Sequence, residues 1–151
     1  MIAERVELEP RTLVGLHDVV PMTELTAFFG RAYTVTGAEI EKQGIEQTGP
    51  PIAMYHGIPT DTIDITAGFP VNQPITPANG TVVATLPGGP AIETIHTGSY
   101  DSMPGTYNEL MAWLEEQRIA VPEDMWEEYL VGPDTEADPA KWQTRIVVPL
   151  V

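Results

Sequence analysis

One order of hydrophobic patterns occurs twice along this chain, and that recurrence limits the folds open to it. In the first half, residues 6–20 alternate as a strand does, and Pro10 divides them into a short arm and a longer strand. Within the longer part, Val14, Leu16, Asp18 and Val20 share one face, and Leu13, Gly15, His17 and Val19 share the other. A helix entry follows at residues 21–24, and Leu25, Phe28, Phe29, Ala32, Thr36 and Ile40 recur every three or four positions up to Gly44. Residues 52–58 and 62–71 then form a hairpin in which Ile63, Ile65 and Ala67 oppose Asp64, Thr66 and Gly68.

A polar connection, residues 72–80, leads to the second half. There the strand signals are 81–86 and 91–100, turning at Pro87-Gly88-Gly89-Pro90. A helix is expected over 102–117, with Ser102 as its cap and Tyr107, Leu110, Met111 and Leu114 as its stripe. A last hairpin pairs 125–131 with 142–151 around an acidic loop.

Particular residues recur with the pattern. His17 precedes the first helix as His96 precedes the second, 79 positions later. Gln43-Gly44-Ile45 matches Gln117-Arg118-Ile119, and Tyr55 matches Tyr129, each 74 positions later. The change of offset gives the first helix about five extra residues. The expectation is a single α+β domain over 1–151, with halves of about 1–75 and 76–151. Each half is a strand–helix–strand–strand unit, and together they build a pseudo-twofold antiparallel sheet with both helices on one side. A length of 151 residues suits one such domain.

Charge narrows the function. Twenty-two acidic residues against seven basic ones give a net charge of −15, which opposes nucleic acid and anionic membrane surfaces. Both halves are acidic, so the excess is a property of the whole surface. The lack of cysteine removes disulfides, thiol catalysis and cysteine-bound metals. No signal peptide, anchor or long apolar run is visible, which makes the cytoplasm the expected location.

Glu127 and Tyr129 are two apart in a strand and share a face, while Glu128 points to the other and is expected in solvent. A carboxylate set among aromatic rings binds cations by charge pairing and cation–π attraction. Tyr107 and Trp113 are candidate walls from the second helix, and Tyr55 from the matching strand of the first half. The three histidines, His17, His56 and His96, have no metal-ligand spacing and are assigned structural or surface roles; no metal and no cofactor are expected. Asp64, Glu93 and Glu127 are a set that folding can bring together. Seven acids between Glu123 and Asp138 with no intervening base form either a solvated rim or a surface for a basic partner.

Several stretches carry a resemblance when taken together. Leu86-Pro87-Gly88-Gly89-Pro90-Ala91, Ile95-His96-Thr97-Gly98-Ser99-Tyr100, Trp126-Glu127-Glu128-Tyr129-Leu130-Val131-Gly132-Pro133 and Trp142-Gln143-Thr144-Arg145-Ile146 resemble the GyrI-like small-molecule-binding family. That family is similar to the effector-binding domains of AraC-type and multidrug-responsive transcription regulators. The likeness spans essentially the whole chain and implies the duplicated, SOUL-like fold with a ligand cleft at its pseudo-twofold axis. It implies that Glu127, in the family's Trp-Glu-x-Tyr-like strand, approaches a cationic, partly aromatic ligand, with Tyr55 and Tyr129 lining the cleft. With no sequence left for a DNA-binding domain, a stand-alone sensor with an unidentified protein partner is expected. Two alternatives remain open: a hydrolase of strained, cyclopropane-containing electrophiles using Glu127 with Tyr55 or Tyr129, and an acidic inhibitory or scaffold protein.

Overall fold

The computed structural model describes residues 2–150, so Met1 and Val151, the end of the expected last strand, lie outside the described residues. The first half contains β1 (Ala3–Leu8), β2 (Arg11–Pro21), α1 (Leu25–Lys42), β3 (Ile52–His56) and β4 (Thr62–Val71). The second contains β5 (Val82–Leu86), β6 (Gly89–Thr97), α2 (Met103–Glu116), β7 (Asp124–Val131) and β8 (Gln143–Pro149). All eight strands join one antiparallel sheet in the order β1-β6-β8-β7-β3-β4-β2-β5. Replacing each strand by its counterpart in the other half reverses this order and leaves it unchanged, which puts a pseudo-twofold axis between β3 and β7.

Each half therefore has one strand more than the expected unit. Pro10 ends the arm, as its missing N–H forbids a continuous ladder, and the freed β1 crosses to pair with β6 of the other half. β5 reciprocates by pairing with β2 instead of forming a hairpin with β6. The two edge strands thus tie the halves together. The connection between halves is anchored too: the Gln43 side chain bonds both the N–H and the carbonyl of Thr76 at 2.9 Å, and Ile75 is buried beside Val14, Ile40 and Val71.

The equivalence of the halves differs by one residue from that suggested by the histidines. Leu25 and Met103, the first residues of the helices, are 78 positions apart, as are the 3-10 turns Met22–Glu24 and Tyr100–Ser102 before them. His17 lies on the face of Leu13, whereas His96 lies on the face of Ile92 that meets α2, so the two are not equivalent. A one-residue slip moves a strand side chain to the opposite face, which is why a matching letter misled here. The helices accordingly differ by four residues, 18 against 14, not five. Their ends match closely: Gly44 and Arg118 both take the left-handed conformation, with φ of 66° and 59°. The bonds Ile45 N–H to Ile40 C=O (3.1 Å) and Ile119 N–H to Leu114 C=O (2.9 Å) close both helices in the same way. Ser102 does not act as a side-chain cap; the 3-10 turn before α2 turns its hydroxyl back to the Ser99 carbonyl at 2.8 Å.

Both helices lie on one face of the sheet. Phe28 and Ala32 of α1 pack on Leu16, Ile63, Ile65 and Ala67, while Leu110 and Leu114 of α2 pack on Ile92, Ile146 and Val148. The other face carries a second core of Leu13, Ile52, Met54, Leu86, Trp126 and Val147, joined by Leu8. Residues from both edge strands, Leu8 and Leu86, meet in that cluster, so the sheet curls over it. α1 packs on β2 and β4 and α2 on β6, which leaves the β3–β7 seam lying between the helices.

Candidate functional site

The seam between the helices is the floor of a cavity of about 1180 Å³. Glu127 rises from β7 into it, directly opposite Ala53 of β3. The neighbouring pairs Met54–Trp126 and Ile52–Glu128 exchange under the same 74-residue shift that relates Ala53 to Glu127. These two residues are therefore equivalent positions facing each other at the pseudo-twofold axis: one half supplies a methyl group and the other a carboxylate. That difference helps to turn a duplicated framework into an asymmetric site.

Glu127 is only 6% exposed. Oε1 accepts from the Tyr129 hydroxyl at 2.7 Å and, more weakly, from Tyr55 at 3.4 Å; Oε2 accepts from Tyr107. Among the described residues no arginine, lysine or histidine forms an ion pair with it. Burial raises the Glu127 pKa above the usual carboxylate value, and the tyrosine hydrogen bonds pull it part of the way back. The same burial, reinforced by the nearby carboxylate, pushes the hydroxyls of Tyr55, Tyr107 and Tyr129 up, so they remain protonated donors.

Aromatic rings build the walls. Phe29 and Tyr33, one turn apart on α1, lie parallel with centroids 5.9 Å apart. Tyr129 stands edge-on to Phe29 on one side (6.4 Å) and to Tyr100 on the other (5.9 Å). Phe29 and Tyr107 each come four residues after the first residue of their helix, so the two helices offer rings from matching turns. Apolar side chains such as Leu25, Ile63, Met103 and Met111 complete the lining.

Of the residues singled out from sequence, Glu127, Tyr55, Tyr107 and Tyr129 meet in this cavity. Trp113 does not line it; it packs with the cluster of Leu110, Leu114 and Ile146 beneath α2. Phe29, Tyr33 and Tyr100 line the cavity but were not foreseen as wall residues, since an aromatic on a helix stripe or strand end reads as core.

The other expected groupings separate. Glu128, expected in solvent, is 3% exposed on the second face. It is covered because the sheet curls there, and it is neutralised by Arg11 from β2 and by its cross-strand partner Arg145 at 3.0 Å. Arg145 also holds Glu93 at 2.6 Å, and Asp64 contacts His17. Asp64 and Glu93 thus lie on the face opposite Glu127, and the three do not form one set. The acids of residues 123–138 also disperse: Asp124 bonds His56, Asp134 lies in the cavity wall and Asp138 caps a 3-10 turn at Ala140 N–H. Among the described residues no helix is long and apolar enough to cross a membrane.

The fold is similar to those of solved proteins. The chain superposes on the crystal structure of the EcmrR C-terminal domain with a TM-score of 0.85, at 22% identity over 99% of this chain and 97% of that one. In the cryo-EM structure of an EcmrR–DNA complex the match has the same TM-score and 24% identity, and this chain spans 57% of the EcmrR chain. SAV2435, solved bound to tetraphenylphosphonium, superposes with a TM-score of 0.74 at 13% identity, over 100% of this chain and 94% of that one. A search of curated protein sequences finds no significant match. The family model for the GyrI-like small molecule binding domain matches residues 3–151, and the chain belongs to that family.

Proposed function

We propose that the chain binds hydrophobic or amphipathic cations noncovalently in the aromatic cavity, with Glu127 as the charge anchor. The observation that carries this reading is a buried carboxylate whose hydrogen bonds come from tyrosine hydroxyls, with no basic side chain in ion-pair contact with it among the described residues. An unpaired buried charge costs several kcal/mol, on the order of the penalty for one ion after relaxation, and an entering cation recovers part of that cost. Ring faces around the charge add about 0.5–2 kcal/mol for each well-placed cation–π contact. The cavity is large for a drug-sized molecule, which suits ligands carrying several rings. That SAV2435 holds tetraphenylphosphonium on a similar fold supports the choice of ligand class.

Calorimetric titration with tetraphenylphosphonium and with neutral triphenylphosphine oxide tests the reading. The cation is expected to bind about tenfold or more tightly than the neutral compound, a difference of about 1.4 kcal/mol. Equal affinities would remove the charge anchor. The raised pKa of Glu127 supports a second reading, in which it deprotonates a water positioned by Tyr55 or Tyr129 for attack on a strained, cyclopropane-containing electrophile. Product formation that stops in Glu127→Gln would favour hydrolysis, and binding without turnover favours the sensor.

A further inference from the structure

The face of the sheet turned away from the cavity carries a second cluster of chemistry-bearing side chains. His17 of β2 and Asp64 of β4 touch, with Nε2 and Oδ1 2.5 Å apart, and both are partly exposed. His56 of β3 lies beside them: its ring meets that of His17 edge-on with centroids 5.7 Å apart. Nε2 or Nδ1 of the two histidines and a carboxylate oxygen of Asp64 all fall within 4.8 Å of one another. We infer that His17, His56 and Asp64 form a site for a divalent transition-metal ion, with Zn2+ as its fitting occupant.

Donor chemistry and strand geometry both support the assignment. Two imidazoles and one carboxylate are a ligand set that zinc takes, with a fourth position left for water or another ligand. Ligand atoms around a tetrahedral zinc, at about 2.0–2.1 Å from the metal, lie about 3.3 Å from each other. Small rotations of side chains already within 4.8 Å reach that spacing. The three come from adjacent strands in the order β3-β4-β2, so the ladder holds their Cα positions while the exposed tips of His17 and Asp64 remain free to adjust.

The fourth strand, β7, supplies the outer support that metal-bound histidines use. Asp124 lies directly across from His56 and its Oδ1 is 2.9 Å from Nδ1. A carboxylate accepting from Nδ1–H leaves the lone pair on Nε2, the nitrogen facing the Thr66 hydroxyl at 2.9 Å. A cation between Nε2 of His56 and the other two ligands replaces that hydroxyl proton as the electrophile facing the lone pair. The sequence hid the arrangement because its ligands lie on three different strands; only the register brings positions 17, 56 and 64 together.

Zinc titration of the untagged chain, by calorimetry and by the visible absorption of Co2+ as a substitute, tests the site. One metal ion per chain is expected. His17→Ala, which changes a half-exposed side chain, and His56→Ala each abolish binding, and Asp124→Asn weakens it by about 10–100-fold as an outer-shell loss. Circular dichroism of each variant shows that the fold persists. No metal uptake by the parent chain, or uptake retained by both histidine variants, would overturn the assignment.

Discussion

Ala53 and Glu127 face each other across the β3–β7 pair at the pseudo-twofold axis, equivalent in position and opposite in chemistry. The methyl of Ala53 is fully buried in the cluster against which Phe29, Tyr33, Tyr55 and Tyr129 pack, beneath the rings that line the cavity. A larger residue at 53 would push those rings toward the cavity from the half that contributes no charge.

Ala53→Leu is accordingly expected to weaken cation binding at least tenfold while costing about 1–3 kcal/mol of stability from overpacking. Titration with tetraphenylphosphonium alongside urea denaturation separates the two effects. Unchanged affinity would mean that the ligand does not reach the axis.

Glu127→Gln is expected to stabilise the ligand-free protein at neutral pH. Burial raises the folded-state pKa of Glu127 above 4.5, so the folded chain holds its proton to higher pH than the unfolded chain does. Stability from this group is therefore lost as pH climbs past 4.5 toward the raised value, and an amide carries no such loss. Thermal melts across pH 4–8, read about every pH unit, should show the variant's advantage growing with pH. An advantage absent at pH 7 would contradict the sign.

Glu128→Gln is expected to destabilise the fold by about 2–4 kcal/mol, because it removes one side of a buried ion network and leaves Arg11 and Arg145 without their shared partner. Its side chain is on the face away from the cavity, so cation affinity of the folded protein should change little. Denaturation and binding measured on the same preparation check both parts.

Arg118→Gly is expected to raise stability by about 0.5–1 kcal/mol. Arg118 holds the left-handed conformation that its counterpart Gly44 adopts without a Cβ penalty, and relief of that strain exceeds the entropy cost of a new glycine. A chemical denaturation curve shifted to lower midpoint would refute it.

Alternation and helical spacing made most of the elements and their faces legible, down to the phase of Glu127 and Tyr129. What they omit is the identity of whatever covers a face. Glu128 was placed on its correct side of β7, yet the side is buried because the distant strand β2 brings Arg11 over it. The crossing of β1 and β5 was hidden for a similar reason: Pro10 shows where an arm ends, not which edge it joins. The walls Phe29, Tyr33 and Tyr100 were obscured because a ring on a core-facing stripe has the same spacing whether it meets another side chain or an open cavity.

As the proposed charge anchor, Glu127 is expected to select the charge of the ligand. The most direct test is a cycle in which wild type and Glu127→Gln are each titrated with tetraphenylphosphonium and with triphenylphosphine oxide. Loss of a charge-assisted contact worth about 1.5–3 kcal/mol predicts cation affinity falling by about 10–150-fold in the variant. The neutral compound should change by less than about threefold, within the scatter of distant surface changes. Equal losses for both ligands, or none for either, would contradict the account.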